Sequence, residues 1–175
     1  VEIDQQGEVL DYRFLEGVMR SHARLTYTEV AGMVVDGDPV VRDQYRHVVK
    51  DIDELHRLYQ ALHAARERRG AIDFDTTETK IVFGENRKIE RIVPTERTDA
   101  HRMIEEFMLA ANTCAADFLE RNRLPTLFRI HESPRKEKLD DLRTVLAERG
   151  LKLEGGDKPE AHHVSRLMSQ AAGRD

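Results

Sequence analysis

A long amphipathic pattern over residues 99–122 constrains the fold of this chain more than any other feature of its sequence. Small and apolar residues recur there every three or four positions, as on one face of an α-helix. They are Ala100, Ile104, Phe107, Ala111, Cys114, Ala115 and Phe118. Thr98 or Asp99 is suited to cap the start of this helix. Because such a stripe has to be covered by other elements, the pattern predicts a packed core around this helix.

Further helices are predicted on both sides of this one. Residues 48–69 keep apolar positions at helical spacing and end before Gly70, a residue typical of the position just past a helix. A shorter helix is expected from about Thr28, broken by the turn residues 36–39. Ser133-Pro134 predicts the start of a helix that continues to Gly150, and residues 160–172 have a weaker helical pattern.

Extended segments are short and lie far apart along the chain. Residues 1–18 read as an N-terminal hairpin, and residues 80–83 and 89–93 as two strands joined by a turn at 84–87, with Pro94 ending the second. Short extended runs are also predicted at 71–74 and 127–130. The sequence therefore predicts an α+β fold, rich in helix, with short antiparallel strands and no complete sheet.

Charge and composition exclude several classes of protein. The chain has 28 Lys and Arg against 33 Asp and Glu, a net charge of −5, which excludes a self-sufficient basic nucleic-acid module. Residues 121–152 differ, with 9 basic and 5 acidic side chains. No run of 18 apolar residues exists, so no membrane span is expected. Cys114 is the single cysteine, which excludes an internal disulfide framework and fits a reducing cytoplasm.

One flank of the helix at 99–122 carries the clearest polar candidates. His101, Glu105, Met108 and Asn112 follow each other at helical spacing, so a polar ligand such as a ribose hydroxyl could bind along this line. The commoner interpretation is a solvated flank. Glu105 and Glu106 point about 100° apart on a helix, so at most one of them faces a site.

Two aromatic residues are candidates for stacking on a base. Phe74 lies between Asp73 and Asp75 in an extended run, and Tyr27 closes a mixed polar segment. For both, a purely structural role is the commoner interpretation of the pattern alone. Metal sites have little support: His56 and His63 lie seven positions apart without a ligand motif, and no cluster of aspartates is spaced for Mg²⁺.

Five runs in order resemble a known family. The chain is similar, over almost its whole length, to the central part of the catalytic domain in the ribonuclease II family of bacterial 3′-to-5′ exoribonucleases, and most of all to its ribonuclease R branch. The runs are SHARLTY (21–27), ERRGAIDF (67–74), IERI (89–92), IEEFMLAAN (104–112) and LFRIH (127–131).

The resemblance implies an activity and a set of site residues. The family hydrolyses RNA processively from its 3′ end to nucleoside 5′-monophosphates, using Mg²⁺ held by aspartates, and the ribonuclease R branch also degrades structured RNA. The resemblance therefore implies that the partner is a single-stranded RNA 3′ end. Phe74 resembles the aromatic residue that stacks on the terminal bases. Glu105 resembles the acidic residue that contacts the terminal nucleotide, and Tyr27 resembles the tyrosine linked to preference for RNA over DNA. Asn112 and His131 are weaker candidates.

Departures from the family pattern limit what this chain is expected to do. The upstream aspartate cluster, the downstream arginine-bearing run and the flanking RNA-binding domains are absent from the sequence. We therefore expect an internal segment of a monomeric cytoplasmic enzyme, without catalytic or metal-binding residues of its own and inactive alone. Such a segment exposes apolar surface, which favours self-association. The alternatives are a non-catalytic RNA-binding domain and a structural domain.

Overall fold

Helices and short strands follow each other along the chain as a mixed α+β fold. The computed structural model describes residues 1–72, 78–95, 97–130 and 132–172. Within these residues the strands are β1 (Glu2–Ile3), β2 (Val9–Asp11), β3 (Glu78–Phe83) and β4 (Ile89–Thr95). The helices are α1 (Tyr27–Val34), α2 (Pro39–Gln44), α3 (Val49–Arg68), α4 (Asp99–Arg121), α5 (Lys136–Glu148) and α6 (Ala161–Ala171). The predicted fold class is confirmed, including its N-terminal hairpin.

Both pairs of strands are antiparallel hairpins. β1 pairs with β2, and the turn between them is closed by Asp4, whose carboxylate accepts hydrogen bonds from the backbone N–H groups of Gln6 and Glu8. β3 pairs with β4, with Ile81 opposite Ile92. The prediction that Pro94 ends the second strand is wrong, because Pro94 still pairs with Thr79. A proline in an edge strand removes only one N–H donor from the hydrogen bonds between the strands, so a short hairpin tolerates it.

The turn residues at 36–39 break one helix and start another. The Asp38 carboxylate accepts hydrogen bonds from the backbone N–H groups of Val40 and Val41, and Pro39 occupies the first turn of α2. A proline is tolerated there because that N–H has no partner within the helix. Arg42 then ties α2 to its neighbours, donating to the Met33 carbonyl (2.8 Å) and to both carboxylate oxygens of Asp53.

The predicted strand at 127–130 and the predicted helix start at Ser133-Pro134 are both wrong. Residues 127–130 form no strand, and Leu127 is fully exposed. A strand needs a neighbouring backbone to complete its hydrogen bonds, and none of the described residues supplies one to this segment. α5 begins at Lys136 rather than after Ser133, with Arg135 at the N-cap and no side-chain hydrogen bond to the cap.

The structure divides into two compact units. Unit 1 contains Val1–His63 and Asp75–Phe118, and unit 2 contains Ala64–Phe74 and Leu119–Asp175. The core of unit 1 is built where α1, α3 and α4 meet, from Val30, Ala31, Met33, Ile52, Tyr59, Ala100 and Met103. The core of unit 2 consists of Leu139, Leu146, Leu153 and Leu167. Among the described helices, none combines the length and the apolar character that crossing a membrane requires.

The buried face of α4 is rotated slightly from the predicted stripe. Ala100 and Cys114 are buried as expected, but Met103 and Glu106 are buried as well, whereas Ile104 is partly exposed. α3 ends as predicted, because Gly70 adopts the left-handed conformation (φ +74°) that closes a helix. A β-carbon at Gly70 would lie 2.6 Å from the β-carbon of His162, so this position also requires the absence of a side chain.

Candidate functional site

Tyr27 is the first residue of α1, at a helix end held by a network of side chains. The Thr26 hydroxyl accepts a hydrogen bond from the Glu29 backbone N–H, and the Glu29 carboxylate accepts one from the Thr26 backbone N–H (2.7 Å). This is a capping box, which satisfies backbone donors that the helix leaves without partners. The Tyr45 hydroxyl also donates to Glu29. Thr26, Glu29 and Tyr45 therefore hold the backbone around Tyr27 in place.

The Tyr27 ring lies against an imidazole of α4. The ring centroids of Tyr27 and His101 are 4.0 Å apart and the planes differ by 17°, a stacked arrangement. His101 is held in turn by Thr98, whose hydroxyl oxygen lies 2.9 Å from the imidazole Nδ1. Tyr27 keeps 47 % of its surface exposed, so one part of the side chain is packed and the rest faces solvent.

An apolar cavity of about 580 Å³ opens beside Tyr27. Its walls come from the residues that lead into α1, from α1 and α3, and from the first three turns of α4, all within unit 1. The lining residues are Leu25, Thr26, Tyr27, Val30, Ile52, Leu55, Ala100, Met103, Ile104 and Phe107. Thr26 and Tyr27 supply the hydroxyl groups in this wall, and the other lining side chains are apolar, so the cavity suits a largely apolar ligand surface.

Glu105 follows His101 by one turn of α4 and is held by an arginine. The Arg97 Nε donates to one carboxylate oxygen of Glu105 (3.0 Å), and a terminal guanidinium nitrogen donates to the other. Such a two-point contact fixes the plane of the carboxylate. The Glu105 side chain is 41 % exposed, so its oxygens can still accept hydrogen bonds from a ligand.

Glu106 has a different environment from its neighbour, as helix geometry requires. It is buried and its carboxylate lies 3.7 Å from Nδ1 of His63. The prediction that the two glutamates do not face one site together is in agreement with these separate partners. Glu105 is the one of the two that is accessible.

Phe74 and His131 lie outside the described residues. Tyr27 and Glu105 are brought near one another through α4, because Tyr27 stacks on His101, one helical turn before Glu105. Met108 and Asn112, the remaining members of the predicted polar line, are exposed farther along the same helix.

Hydrogen bonds and burial shift several pKa values in unit 1. The Tyr45 and Thr26 hydroxyls lower the pKa of Glu29, and the same contact with Glu29 raises the pKa of Tyr45. The Arg42 guanidinium lowers the pKa of Asp53. Burial raises the pKa of Tyr59. The lowered pKa values mean that Glu29 and Asp53 stay ionised to a lower pH than free carboxyl groups do.

The described residues do not fit a magnesium centre. No group of three or more His, Cys, Asp or Glu side chains within residues 1–72, 78–95, 97–130 and 132–172 is arranged to hold a metal ion. Mg²⁺ is bound in proteins mainly through carboxylates together with water or phosphate oxygens. The carboxylates near the candidate site, Glu105 and Glu106, have Arg97 and His63 as partners instead.

Sequence reasoning missed two partners of the site. Arg97 precedes Glu105 by eight residues and belongs to the loop before α4, so no helical spacing connects them. The contact of His101 with Tyr27 joins residues 74 positions apart, which only the packing of α1 against α4 creates. The sequence did place His101 four residues before Glu105, a spacing that puts the two side chains next to each other on one face of a helix.

Comparison with known proteins identifies a shared domain. The model of the family described as "RNB domain" matches residues 1–173. Ribonuclease R of Escherichia coli is 48 % identical over 172 residues, covering 98 % of this chain and 21 % of that protein. Ribonuclease R of Aquifex aeolicus is 34 % identical and has 24 % of its length covered. The chain therefore spans about a fifth to a quarter of these curated relatives.

Solved structures share the fold. RNase R of Mycoplasma genitalium in complex with ribose-methylated single-stranded RNA matches with a TM-score of 0.72 at 24 % identity, over 84 % of this chain and 23 % of the other. The same protein in complex with double-stranded RNA matches with a TM-score of 0.66 at 26 % identity, over 73 % of this chain and 23 % of the other.

Proposed function

Because the chain belongs to the RNB domain family, we propose that it is the central segment of the catalytic domain of a 3′-to-5′ exoribonuclease. The match of the family model to residues 1–173 carries this proposal. The ribonuclease R relatives are similar along 98 % of the chain, and the chain spans about a fifth of their length. The proposed parent is a monomer that hydrolyses single-stranded RNA processively to nucleoside 5′-monophosphates.

In this proposal the segment binds the 3′ end of RNA through Tyr27, Phe74 and Glu105. The half-exposed Tyr27 offers a hydroxyl and part of an aromatic ring, which suits a ribose that carries a 2′-hydroxyl. The Glu105 carboxylate, oriented by Arg97, can accept hydrogen bonds from sugar hydroxyls. Phe74 stacks on the terminal bases.

Mg²⁺ is the proposed cofactor of the parent, and its ligands are proposed to come from outside this segment. We place the ligands outside the segment because the described carboxylates do not form a group that could hold the ion. Consequently we assign no catalytic residue to this chain, and we propose that it is inactive by itself.

Activity of the complete reading frame tests the proposal directly. We expect the complete protein containing residues 1–175 to release 5′-mononucleotides from 3′-labelled single-stranded RNA in the presence of Mg²⁺. We expect the 175-residue chain to release none above a mock purification. Mononucleotide release by the chain alone would contradict the inactivity of the segment, and no release by the complete protein would contradict the proposed activity.

Substitutions in the complete protein test the site. Phe74→Ala and Glu105→Gln are expected to raise KM for RNA, because each removes a proposed contact with the 3′ end. Phe83→Ala and Glu120→Gln are the matched controls, since Phe83 is exposed in the second hairpin and Glu120 is exposed near the end of α4. Equal effects in a site variant and its control would remove that residue from the proposed site.

A non-catalytic RNA-binding domain is the alternative function. The exposed Tyr27 and the excess of basic residues over 121–152 favour it, because cationic side chains can contact a phosphate backbone. Fluorescence anisotropy of a labelled RNA with the 175-residue chain would support it if binding is salt-dependent and is lost in Phe74→Ala. No binding at low salt would leave a structural domain as the alternative.

Self-association of the isolated segment is part of the proposal. Val18, Met19 and Leu127 expose nine-tenths or more of their surface. More than half of the surface of Leu15, Phe128 and Ile130 is exposed as well. Exposed apolar surface of this kind drives association. Sedimentation velocity of the isolated chain should show concentration-dependent oligomers, and a single monomeric species up to high concentration would contradict this expectation.

A further inference from the structure

We propose that His101 is a positioning residue, which holds the Tyr27 ring in the orientation that distinguishes a ribose from a deoxyribose at the RNA 3′ end. This inference rests on the proposed function, in which Tyr27 contacts that sugar. It adds His101 of α4, which the sequence pattern placed in a polar line that could receive a ligand but did not connect with Tyr27.

The stacking geometry supports a positioning role. The Tyr27 and His101 rings lie 4.0 Å apart and nearly parallel, so the imidazole covers one face of the phenol. The capping box at Thr26 and Glu29 fixes the backbone of Tyr27, but it leaves the side-chain torsions free. Stacking on His101 restricts the ring itself. A ligand can then approach only the remaining face, the edge or the hydroxyl of Tyr27.

His101 is itself fixed in position and in tautomer. The Thr98 backbone N–H points at the His101 Nδ1 (3.3 Å), and the Thr98 hydroxyl lies 2.9 Å from the same atom. A backbone N–H can only donate, so Nδ1 is the acceptor and the proton of the neutral imidazole lies on Nε2. Thr98 immediately precedes α4, so its two contacts hold the imidazole against the start of the helix.

The position of His101 links the two sugar-facing candidates. It lies one turn before Glu105 on α4 and stacks on Tyr27 of α1, so one side chain joins the helix that carries the carboxylate to the helix that carries the phenol. A shift of the His101 ring would therefore change the placement of the Tyr27 hydroxyl relative to Glu105. Such a change affects the recognition of a 2′-hydroxyl more than binding of the rest of the nucleotide.

The test measures sugar discrimination in the complete protein that contains this segment. The readout is the ratio of kcat/KM for an all-ribose oligonucleotide to kcat/KM for the same oligonucleotide with 2′-deoxyribose at its 3′-terminal positions. His101→Ala is expected to reduce this ratio about two- to tenfold, the range that an aromatic contact of this kind provides. Activity on the deoxyribose-terminated substrate should change much less than activity on the all-ribose substrate, because only the ribose offers a 2′-hydroxyl to Tyr27.

Two further variants separate stacking from hydrogen bonding. His101→Phe keeps an aromatic ring but lacks the Nδ1 acceptor, and His101→Asn keeps an acceptor but lacks the ring. We expect Phe to retain the ratio within about twofold of the wild type and Asn to lose it as Ala does, because the stacked ring restricts Tyr27. His47→Ala, which removes an exposed imidazole elsewhere in unit 1, is the control and should leave the ratio unchanged.

The outcomes separate this inference from the proposed function. If the wild-type protein degrades RNA and discriminates the sugar, but His101→Ala keeps the ratio, the inference is overturned and the proposed function stands. Equal losses on both substrates would show a merely structural role and would also overturn it, as would a Phe variant as impaired as Ala. If the wild-type protein degrades neither substrate, the proposed function fails and this inference fails with it.

Discussion

The two cores of this chain are built in different ways. In unit 1, residues of mixed size from α1, α3 and α4 pack together. Side-chain contacts at Thr26 and Thr98 hold the starts of α1 and α4, and Arg42 links α2 to Met33 of α1 and Asp53 of α3. In unit 2, the described core consists of four leucines from α5, α6 and the segment between them. α5 begins without a side-chain cap, whereas α1 begins with a capping box.

The difference indicates where this chain needs defined geometry. Leucines alone provide burial but little directional restraint, since apolar contacts are non-directional. Hydrogen-bond networks at helix ends fix both position and orientation. Tyr27 and Glu105, the described candidates for binding RNA, both lie in unit 1, on the helices whose starts are restrained in this way.

The largest expected effect is on the core of unit 1. Met33 is fully buried, with 0 % of its surface exposed, so Met33→Ala should lower the free energy of unfolding by about 3–4 kcal/mol through lost burial and the cavity left behind. Val35→Ala, two residues later and half-exposed, is the control and should change it by less than about 0.5 kcal/mol. Urea unfolding monitored by circular dichroism measures both, and similar losses would contradict the placement of Met33.

Unit 2 is expected to depend on one glycine. Gly70→Ala combines a left-handed backbone with a β-carbon 2.6 Å from that of His162, so it should destabilise the protein by about 2–3 kcal/mol. Gly150 has a similar φ of +66° but open space around it, so Gly150→Ala should cost only about 1 kcal/mol. Thermal unfolding of the two variants compares them, and equal losses would show that the close approach to His162 is unimportant.

Substitutions at the N-caps of α1 and α5 are expected to differ in their effect on stability, by less than the two glycine variants do. Thr26→Ala removes the capping hydroxyl of α1 and should cost about 1 kcal/mol of stability. Arg135→Ala replaces the N-cap of α5, where no side-chain hydrogen bond is made, and should have almost no effect. Hydrogen exchange of the first-turn amides in each helix reports the change locally. A larger effect at α5 than at α1 would reverse the comparison.

The smallest expected effect is a pH dependence located in unit 1. Because Arg42 lowers the pKa of Asp53 in the folded state, the stabilisation it provides is complete above the unfolded value of about 3.9 and is lost as pH falls through the lower folded value. The wild type should therefore lose stability more steeply below about pH 4 than Asp53→Asn does. Urea unfolding at pH 3 to 6 measures the slopes, with Asp141→Asn as a control in unit 2. Parallel curves for wild type and Asp53→Asn would contradict the ion pair.

Local signals in the sequence were sufficient for the longest elements. The predicted helix at 99–122 corresponds to α4 at Asp99–Arg121, and that at 48–69 corresponds to α3 at Val49–Arg68, because both have sustained apolar spacing. α2 was not predicted, since its six residues are too short to show a period and Asp38-Pro39 reads equally well as a break. The run at 127–130 has strand composition but lacks a pairing partner among the described residues.

For the site, too, the sequence indicated individual residues but not the contacts between them. Tyr27 and Glu105 were candidates from their positions, the resemblance supplied their roles, and those roles in binding RNA stay predictions. Their partners His101 and Arg97 depend on how α1 and the loop before α4 pack against α4, which spacing along one element does not encode. His101 was visible as a flank residue, but its contact with Tyr27 was not.

The single thiol of the chain offers a built-in reporter of motion. Cys114 lies on the buried face of α4, with 2 % of its surface exposed, on the helix that also carries His101 and Glu105. A thiol reagent can label it only during transient opening of this part of the protein. The labelling rate, followed by mass spectrometry, therefore gives the frequency of that opening without any introduced probe, and its slowing by an added oligonucleotide would register binding to the same helix.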